Sequence, residues 1–449
     1  MSEPAAPLPL AGLRVFELSI AIAAPNCGRY LAHYGAEVFK VESPKNPDVA
    51  RLFASSWARG RPELAPVLLD TSPYCSEMSA GKLSIALDLK HPRGLEAGRM
   101  LIAACDIFLT NYSAPAVRAL GLDYESVRAV RPDIVYVALP GFGSDPSLPY
   151  YNYLAWGPNQ APLVGLDNLT GFPDQPPCGV AAIAPPDYCS SLHGTVAVLA
   201  ALEHRDATGE GTFVDVSQFE ATVALLGPYV FEHSLTGRVQ DRTGNRGPGA
   251  APEGVYPSRG DDAWLAITVT DDAEWAALGR VAGSPSWAAD ARFATHDARL
   301  EHLDEIDELL AAWTAAYTAS ELAAWLQEAG VPAYPVLDNF SLVADPQVRD
   351  RRFYQVRRSS RFGRDLFSGH PMHFSETPGD VDRAAPILGE DTEPVLREVC
   401  GYGDDEIASL IEAQAAFGPP LPELVLTRPY DGDLPAFIPG LGREDRRNR

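Results

Sequence analysis

The chain has 449 residues, 46% hydrophobic and 21% charged, a globular composition long enough for two domains and a large core. Its formal net charge of −24 argues against nucleic acid or an anionic membrane as partner. No apolar run reaches the ~18 residues that span a membrane, and the acidic start Met-Ser-Glu-Pro has no apolar core of a signal peptide. Six cysteines without a CxxC or paired spacing suggest reduced thiols, so a cytoplasmic location is expected.

Leu13 to Leu18 reads as a first strand, Asn26 to Tyr34 as a helix stopped by Gly35, and Glu37 to Val41 as a second strand. Strand, helix and strand at this spacing form a βαβ unit, which implies parallel strands. All four lysines, Lys40, Lys45, Lys82 and Lys90, fall in the first 90 residues, with Arg51 and Arg61 among them. A phosphate site and a solvated basic face are both open readings of that cluster. Residues 49–80 read as irregular. Lys82 to Asp88 alternates like a strand, and Pro92 starts a helix to about Ala104. Asp106 to Asn111 and Ile134 to Leu139 are further strands, the second ending in the turn Gly141-Phe142-Gly143.

Residues 144–186 shift to Pro, Gly, Tyr and Asn and read as one long loop. Loops of this length inside compact domains tend to be functional. Tyr150, Tyr151, Tyr153 and Trp156 either line a pocket or fold over one another. Pro185 and Pro186 then stop the loop, and Asp187 stands where a helix N-cap belongs. Leu192, Val196, Leu199 and Leu202 come next at steps of three and four, so one face of that helix is apolar. Gly209 and Gly211 end it, Phe213 to Val216 is a short strand, and Ser217 with Glu220 makes a capping box. Asp187 has two possible jobs: to cap the helix, or to act as a nucleophilic carboxylate kept ionised by the helix N-terminus.

Residues 221–255 read as a linker, and its Gly-rich 244–249 stretch is either a plain linker or a lid. A smaller α/β domain over 256–340 contains a strand near Ala263 to Val269. Its helices are Asp272 to Val281, Leu303 to Tyr317 and Ala319 to Ala329. Residues 341–387 return to the large domain (1–220), 388–435 pack on it, and 436–449 form a polar tail expected to be disordered. Walker A, HExxH and Gly-x-Ser-x-Gly are absent. His370 and His373 are separated by Pro371, which spoils a helical metal pair.

Several of these stretches together resemble the family III CoA-transferases, the CaiB/BaiF group that includes formyl-CoA transferase and carnitine CoA-transferase. Leu10, Gly12, Arg14 and Val15 match its opening. Gly35, Ala36, Val38, Lys40, Val41, Glu42, Pro44, Asp48 and Arg51 match its second strand and the loop after that strand. Pro47 stands where glycine is usual. Lys82-Leu-Ser-Ile-Ala-Leu-Asp88 is similar to its third strand. Pro176, Pro177, Asp187, Gly194, Ala201, Leu202, Arg205, Thr208, Gly209, Gly211 and Val214 to Ser217 match its central stretch. Gly330-Val-Pro-Ala333, Asp345-Pro346 and Leu388-Gly-Glu-Asp-Thr392, with Val395 and Leu396, extend the likeness towards the end. Asn111-Tyr112-Ser-Ala-Pro115 departs from the usual Asn-Phe-x-Pro-Gly, and Arg118 stands one place early, with Ala119 at the customary arginine position.

The resemblance implies an open parallel Rossmann-like sheet in a large domain built from N- and C-terminal segments, plus a smaller α/β domain. It implies an interlocked homodimer, or a heteromer with a paralogue. It also implies CoA as co-substrate, acyl-CoA and carboxylate substrates, and no metal. Asp187 becomes the expected nucleophile, and Ile22, Ala23, Lys40, Arg51, Lys82, Asn111, Tyr112 and Arg118 the expected CoA contacts. An isomerase or racemase on the same scaffold is the alternative. The racemase branch carries a His where this chain has Tyr150, and a Tyr with a pKa of about 10 is a poor proton shuttle at pH 7. The aromatic residues hint at a bulky or aromatic acyl group, or at a dicarboxylate donor such as succinyl-CoA.

Overall fold

The computed structural model describes residues 8–53, 69–70, 72–180, 184–247, 249–359 and 363–419; Arg61 and the 436–449 tail lie outside them. Two compact units emerge. One comprises Met1–Val164, Val180–Gly237 and Ala344–Arg449, the other Gly165–Gly179 and Arg238–Val343.

The strands, in chain order, are β1 (Arg14–Leu18), β2 (Glu37–Glu42), β3 (Leu83–Leu87), β4 (Ile107–Thr110), β5 (Val135–Ala138) and β6 (Thr212–Asp215). They continue with β7 (Glu253–Pro257), β8 (Trp264–Thr268), β9 (Ala333–Pro335), β10 (Tyr354–Ser359), β11 (Gly363–Ser368) and β12 (Ala416–Phe417). The large unit is organised on a sheet ordered β12-β3-β2-β1-β4-β5-β6. Strands β1 to β6 are parallel to their neighbours, and β12 adds an antiparallel edge beside β3. The order 3-2-1-4-5-6 is that of a doubly wound Rossmann sheet. Buried on both faces, its central strands read as apolar runs rather than alternating ones. One face packs Phe16, Phe39, Phe108 and Tyr136 over Leu396 and Leu410. The other packs Val15, Val38, Leu109 and Val137 against Leu31 and Val198 of two helices.

Those helices, Ala23–His33 and Pro185–Thr208, lie against each other. The long one meets its neighbour through small polar residues: Ser191 Oγ donates to Ala23 O at 2.6 Å and Thr195 Oγ1 to Cys27 Sγ at 3.5 Å, while Gly194 makes room for Leu139. Its apolar Leu192, Val196 and Leu199 are 54%, 67% and 46% exposed, and of the spaced apolar residues only Leu202 is buried. The expected apolar face therefore exists but does not face this chain's core. Leu388 to Thr392 binds the return chain to β3. The N–H of Ser84 donates to Asp391, that of Ala86 to Thr392 Oγ1, both at 2.9 Å, and that of Gly389 to Ser84 Oγ.

The second unit carries the antiparallel sheet β7-β8-β9 and helices Asp272–Val281, Leu303–Thr314 and Ala319–Glu328. Leu265, Ile267, Trp275, Phe293, Leu310 and Leu322 fill its core. Thr318 and Glu321 cap its last helix reciprocally. In the Gly-rich stretch, Arg246 is held by Asp304 and Asp307 at 2.6 Å each, and the N–H of Gly244 donates to Gly171.

Candidate active site

In a doubly wound sheet, ligands bind beyond the carboxyl ends of the strands where the order reverses. Here the reversal falls between β1 and β4. The loops that leave those strands are tied together: Ile20 N–H donates to Asn111 Oδ1 at 2.9 Å, and Asn111 Nδ2 donates back to Ile20 O at 2.7 Å. Ala21, at φ 58°, donates its N–H to Asp48 Oδ1. Ile22 then caps helix Ala23–His33, whose first residue, Ala23, is fully buried.

Asp187 reaches this point from the other helix. The helix begins at Pro185, three residues earlier than a capping role for Asp187 requires. Ala184, at φ 43°, occupies the N-cap and supplies no side-chain bond. Asp187 is thus inside the first turn, 8% exposed, and its carboxylate is not the cap. Burial pushes its pKa up to about 6, against hydrogen bonds from the backbone N–H of Ala23 and of Asp187 itself that hold it down. The helix N-terminus alone suggested an ordinary ionised carboxylate; desolvation outweighs it. At pH 7 a group of that pKa is still mostly anionic. Ser191 Oγ locks the two helices here, donating to Ala23 O at 2.6 Å and to Asp187 O at 2.8 Å.

Gly157, the first residue of helix Gly157–Leu163, closes the other side. A Cβ at this glycine would overlap Asp187 Oδ2 and lie 2.9 Å from Ala184 Cβ, so only glycine fits. Sequence reasoning missed it. Its signal was a Gly-Pro pair after an aromatic run, which most often marks a turn. Gln160, fully buried one turn on, donates to Gly141 O at 3.0 Å and fixes the turn after β5.

The expected phosphate-binding cations are placed differently. Lys40, Arg51 and Lys82 are each at most 1% exposed. Lys82 Nζ meets both Glu17 oxygens at 2.7 and 2.9 Å and donates to Pro25 O at 2.7 Å. Lys40 pairs with Asp48 at 2.7 Å, and Arg51 binds Glu42 through two nitrogens and Asp70 at 2.8 Å. Their charges are spent on buried carboxylates, because Glu17 and Glu42 sit within the strands and require partners. In this arrangement the three cations do not present to a phosphate. Two of them brace the start of Ala23–His33 instead, Lys82 through Pro25 and Lys40 through Asp48. Tyr112 is half-buried, and burial raises its hydroxyl pKa. Arg118 is 64% exposed, 3.8 Å from Asp123. Tyr150 and Tyr153 stack at 4.8 Å and both meet Phe142.

A family model described as CoA-transferase family III matches residues 10–392. The chain belongs to the family III CoA-transferases. It is 33% identical to the succinyl-CoA–D-citramalate CoA-transferase of Chloroflexus aurantiacus, over 91% of this chain and 98% of that one. It is 30% identical to the succinyl-CoA–L-malate CoA-transferase beta subunit of the same organism, over 90% and 97%. A solved CAIB/BAIF family protein from Brucella suis is 29% identical with a TM-score of 0.79, covering 88% of this chain and all of that one. This chain is thus a CoA-transferase that acts on acyl-CoA and carboxylate substrates. Among the described residues no group of three or more His, Cys, Asp or Glu could hold a metal ion, and no helix is long and apolar enough to cross a membrane.

Proposed function

We propose that Asp187 is the covalent nucleophile of this CoA-transferase. The observation that carries the reading is its buried carboxylate at the reversal of the sheet, between the Ala23 N–H and Gly157, with a pKa raised to about 6. A carboxylate so placed is anionic at neutral pH and stripped of water, which strengthens it as a nucleophile.

One Asp187 oxygen attacks the thioester carbonyl of the donor. The C–S bond breaks, CoA leaves as thiolate, and a mixed anhydride forms on Asp187. The thiolate attacks the aspartyl carbonyl, releasing the donor carboxylate and leaving an aspartyl-CoA thioester. The acceptor carboxylate attacks that carbonyl, expels the thiolate and forms a second anhydride. The thiolate then takes the acyl group and frees Asp187. The Ala23 N–H is positioned to stabilise charge on the aspartyl group. Holding the thiolate beside the anhydride supplies effective concentrations of about 10⁵–10⁸ M.

CoA contacts fall to the loops after β1 and β4: Ile22, Ala23, Asn111 and Tyr112, with the exposed Arg118 as a phosphate partner. Lys40 and Lys82 act at one remove, Lys40 through Asp48 on Ala21 and Lys82 on Pro25 O, while Arg51 ties Glu42 to Asp70. The names of the relatives support a succinyl-CoA donor and a dicarboxylate acceptor. A second copy of the chain covers the exposed Leu192, Val196 and Leu199. The same applies to helix Gly227–Thr236, none of whose residues is buried, with Val230, Phe231 and Leu235 59–69% exposed. The beta subunit among the relatives supports a paralogue as the other possible partner. A cytoplasmic location fits the six cysteines, none of them in a disulfide.

Asp187→Asn and Asp187→Ala test the assignment. Transfer should fall by at least ~10³-fold while CoA binding by calorimetry survives; appreciable turnover by a folded variant removes Asp187 from the role. Solvent deuterium at the α-carbon of an acyl-CoA, without CoA transfer, would establish the isomerase reading instead.

A further inference from the structure

We propose that Ser191 is a positioning residue for the transfer reaction: its hydroxyl pins the first turn of helix Ala23–His33 to the turn that carries Asp187, and so holds the Ala23 N–H on the reacting carboxylate. This rests on Asp187 as the nucleophile. Ser191 is fully buried. Its Oγ stands 2.6 Å from Ala23 O and 2.8 Å from Asp187 O, so two carbonyls from different helices converge on one hydroxyl. A serine that bonds a carbonyl one turn back in its own helix is commonplace, and Ser190 does the same to Asp187 O at 2.9 Å. The bond to Ala23 is not local. It joins positions 168 apart in the chain and is the shorter of the two Ser191 bonds. Among the described residues, the other side-chain hydrogen bond between these helices is Thr195 Oγ1 to Cys27 Sγ at 3.5 Å, one turn further from Asp187. A thiol sulfur is a weak acceptor, so Ser191 is the main polar tie at the end where the chemistry takes place.

The position of that turn matters because of the groups it presents. The first N–H groups of a helix have no partner within it, and Ala23 opens its helix. Its N–H donates to the Asp187 carboxylate and favours the anion, against the burial that lifts the pKa to about 6. Without the Ser191 proton, the Ala23 and Asp187 carbonyl oxygens face each other with no donor between them, and a low-dielectric interior strengthens their repulsion. The two turns then move apart, and the N–H leaves the carboxylate. One cause has two effects: attack slows, because the reacting groups are displaced, and Asp187 holds its proton to higher pH. Arg29 and Glu77 act on Tyr188, the next residue along, rather than on Asp187, and burial raises that phenol above its ordinary value. Burial also raises the thiols of Cys27 and Cys189, and helix Gly157–Leu163 carries no titratable side chain. The acid limb of the rate profile therefore reads Asp187.

The test uses the full chain. The donor is the acyl-CoA that gives the most hydroxamate on Asp187 after hydroxylamine, with succinyl-CoA tried first, and the acceptor is the dicarboxylate that the wild type turns over fastest. Initial rates over a pH series give kcat, the KM for the donor and the acid limb of kcat/KM. Ser191→Ala should lower kcat by about 10- to 100-fold with KM nearly unchanged, and should move the acid limb up by about one pH unit. Ser191→Thr, which keeps the hydroxyl, should restore both. Ser191→Cys, a weak donor of similar size, should fall between them and serves if the alanine variant does not fold. Thr195→Val removes the other tie between the same helices and should leave the acid limb in place. Three results overturn the proposal alone: wild-type kcat and acid limb in Ser191→Ala, a loss of rate there with the limb unmoved, or a limb moved as far by Thr195→Val. If the wild type transfers CoA but no donor labels Asp187, the Asp187 assignment falls, and this proposal with it.

Discussion

At the scale of single residues, the same burial that makes Asp187 useful has a thermodynamic cost. Its folded pKa of about 6 lies above the ordinary carboxylate value of 3.8. As pH rises from 4 to 6 the unfolded state loses its proton first, so this group withdraws stability over that range and the full penalty stands above pH 6. Asp187→Asn should therefore raise stability at pH 7.5 by up to ~3 kcal/mol, and the gain should shrink towards zero near pH 4, as chemical denaturation at the two pH values would read. A gain that persists at pH 4 would point to a cause other than ionisation. Catalysis carries the opposite sign: kcat/KM should fall about tenfold per unit below pH 6, because only the anion attacks. The family resemblance singled out Asp187, while the local sequence offered it either as a helix cap or as a carboxylate kept ionised by the helix N-terminus. Whether a polar group is desolvated depends on the elements packed over it, here the Ala23 turn and Gly157, and these lie far away in the chain. For the same reason Lys40, Arg51 and Lys82 read as a basic cluster: their partners Glu17, Glu42 and Asp70 become visible only once the strands are side by side.

At the scale of elements, three pieces meet at the carboxylate: the helix that carries Asp187, the turn that donates to it, and the glycine that lets the backbone approach. Gly157→Ala places a methyl into Asp187 Oδ2. It should cut transfer by at least ~100-fold with little loss of CoA binding, since a displacement of about 1 Å at the reacting atom costs that much; near-wild-type rates would mean that the helix shifts freely. The parallel strands of the large sheet were legible because buried βαβ strands are continuous apolar runs bounded by turn residues. The hairpin β10–β11 and the edge strands β9 and β12 were not. The edge strands β9 and β12 are only three and two residues long, and the pairing of all four is fixed by contacts such as Ala416 with Leu87 rather than by local pattern. Helix Pro185–Thr208 shows the limit of periodicity: the spacing of Leu192, Val196 and Leu199 indicates an apolar face but not what covers it.

At the scale of the whole molecule, that uncovered face favours self-association. Light scattering should give twice the chain mass in solution, and Leu192→Asp with Val196→Asp should lower the assembly's melting temperature by several degrees; a monomeric wild type would contradict the expectation. A second whole-molecule property is acid sensitivity. The His33 and His370 rings meet edge to face at 4.8 Å, both buried, joining the first helix to the return segment. Burial holds His370 down at about 4 and His33 lower still. Because the unfolded histidines protonate near 6.5, their contribution is intact above pH 6.5; that of His370 drains away between 6.5 and about 4, and that of His33 goes on falling below pH 4. His370→Phe should flatten the fall in melting temperature over that interval, and an unchanged slope would assign it to other groups. The open parallel sheet and the extent of the likeness, Leu10 to Leu396, were legible through the family resemblance, whereas the strand order was not.

The central claim is covalent catalysis by Asp187, and peptide mass spectrometry tests it most directly. The chain is incubated with a panel of acyl-CoAs, quenched with hydroxylamine and digested. A hydroxamate on Asp187 that depends on acyl-CoA is the predicted result. An unmodified Asp187 across the panel, in protein that still binds CoA and transfers it, would contradict the account.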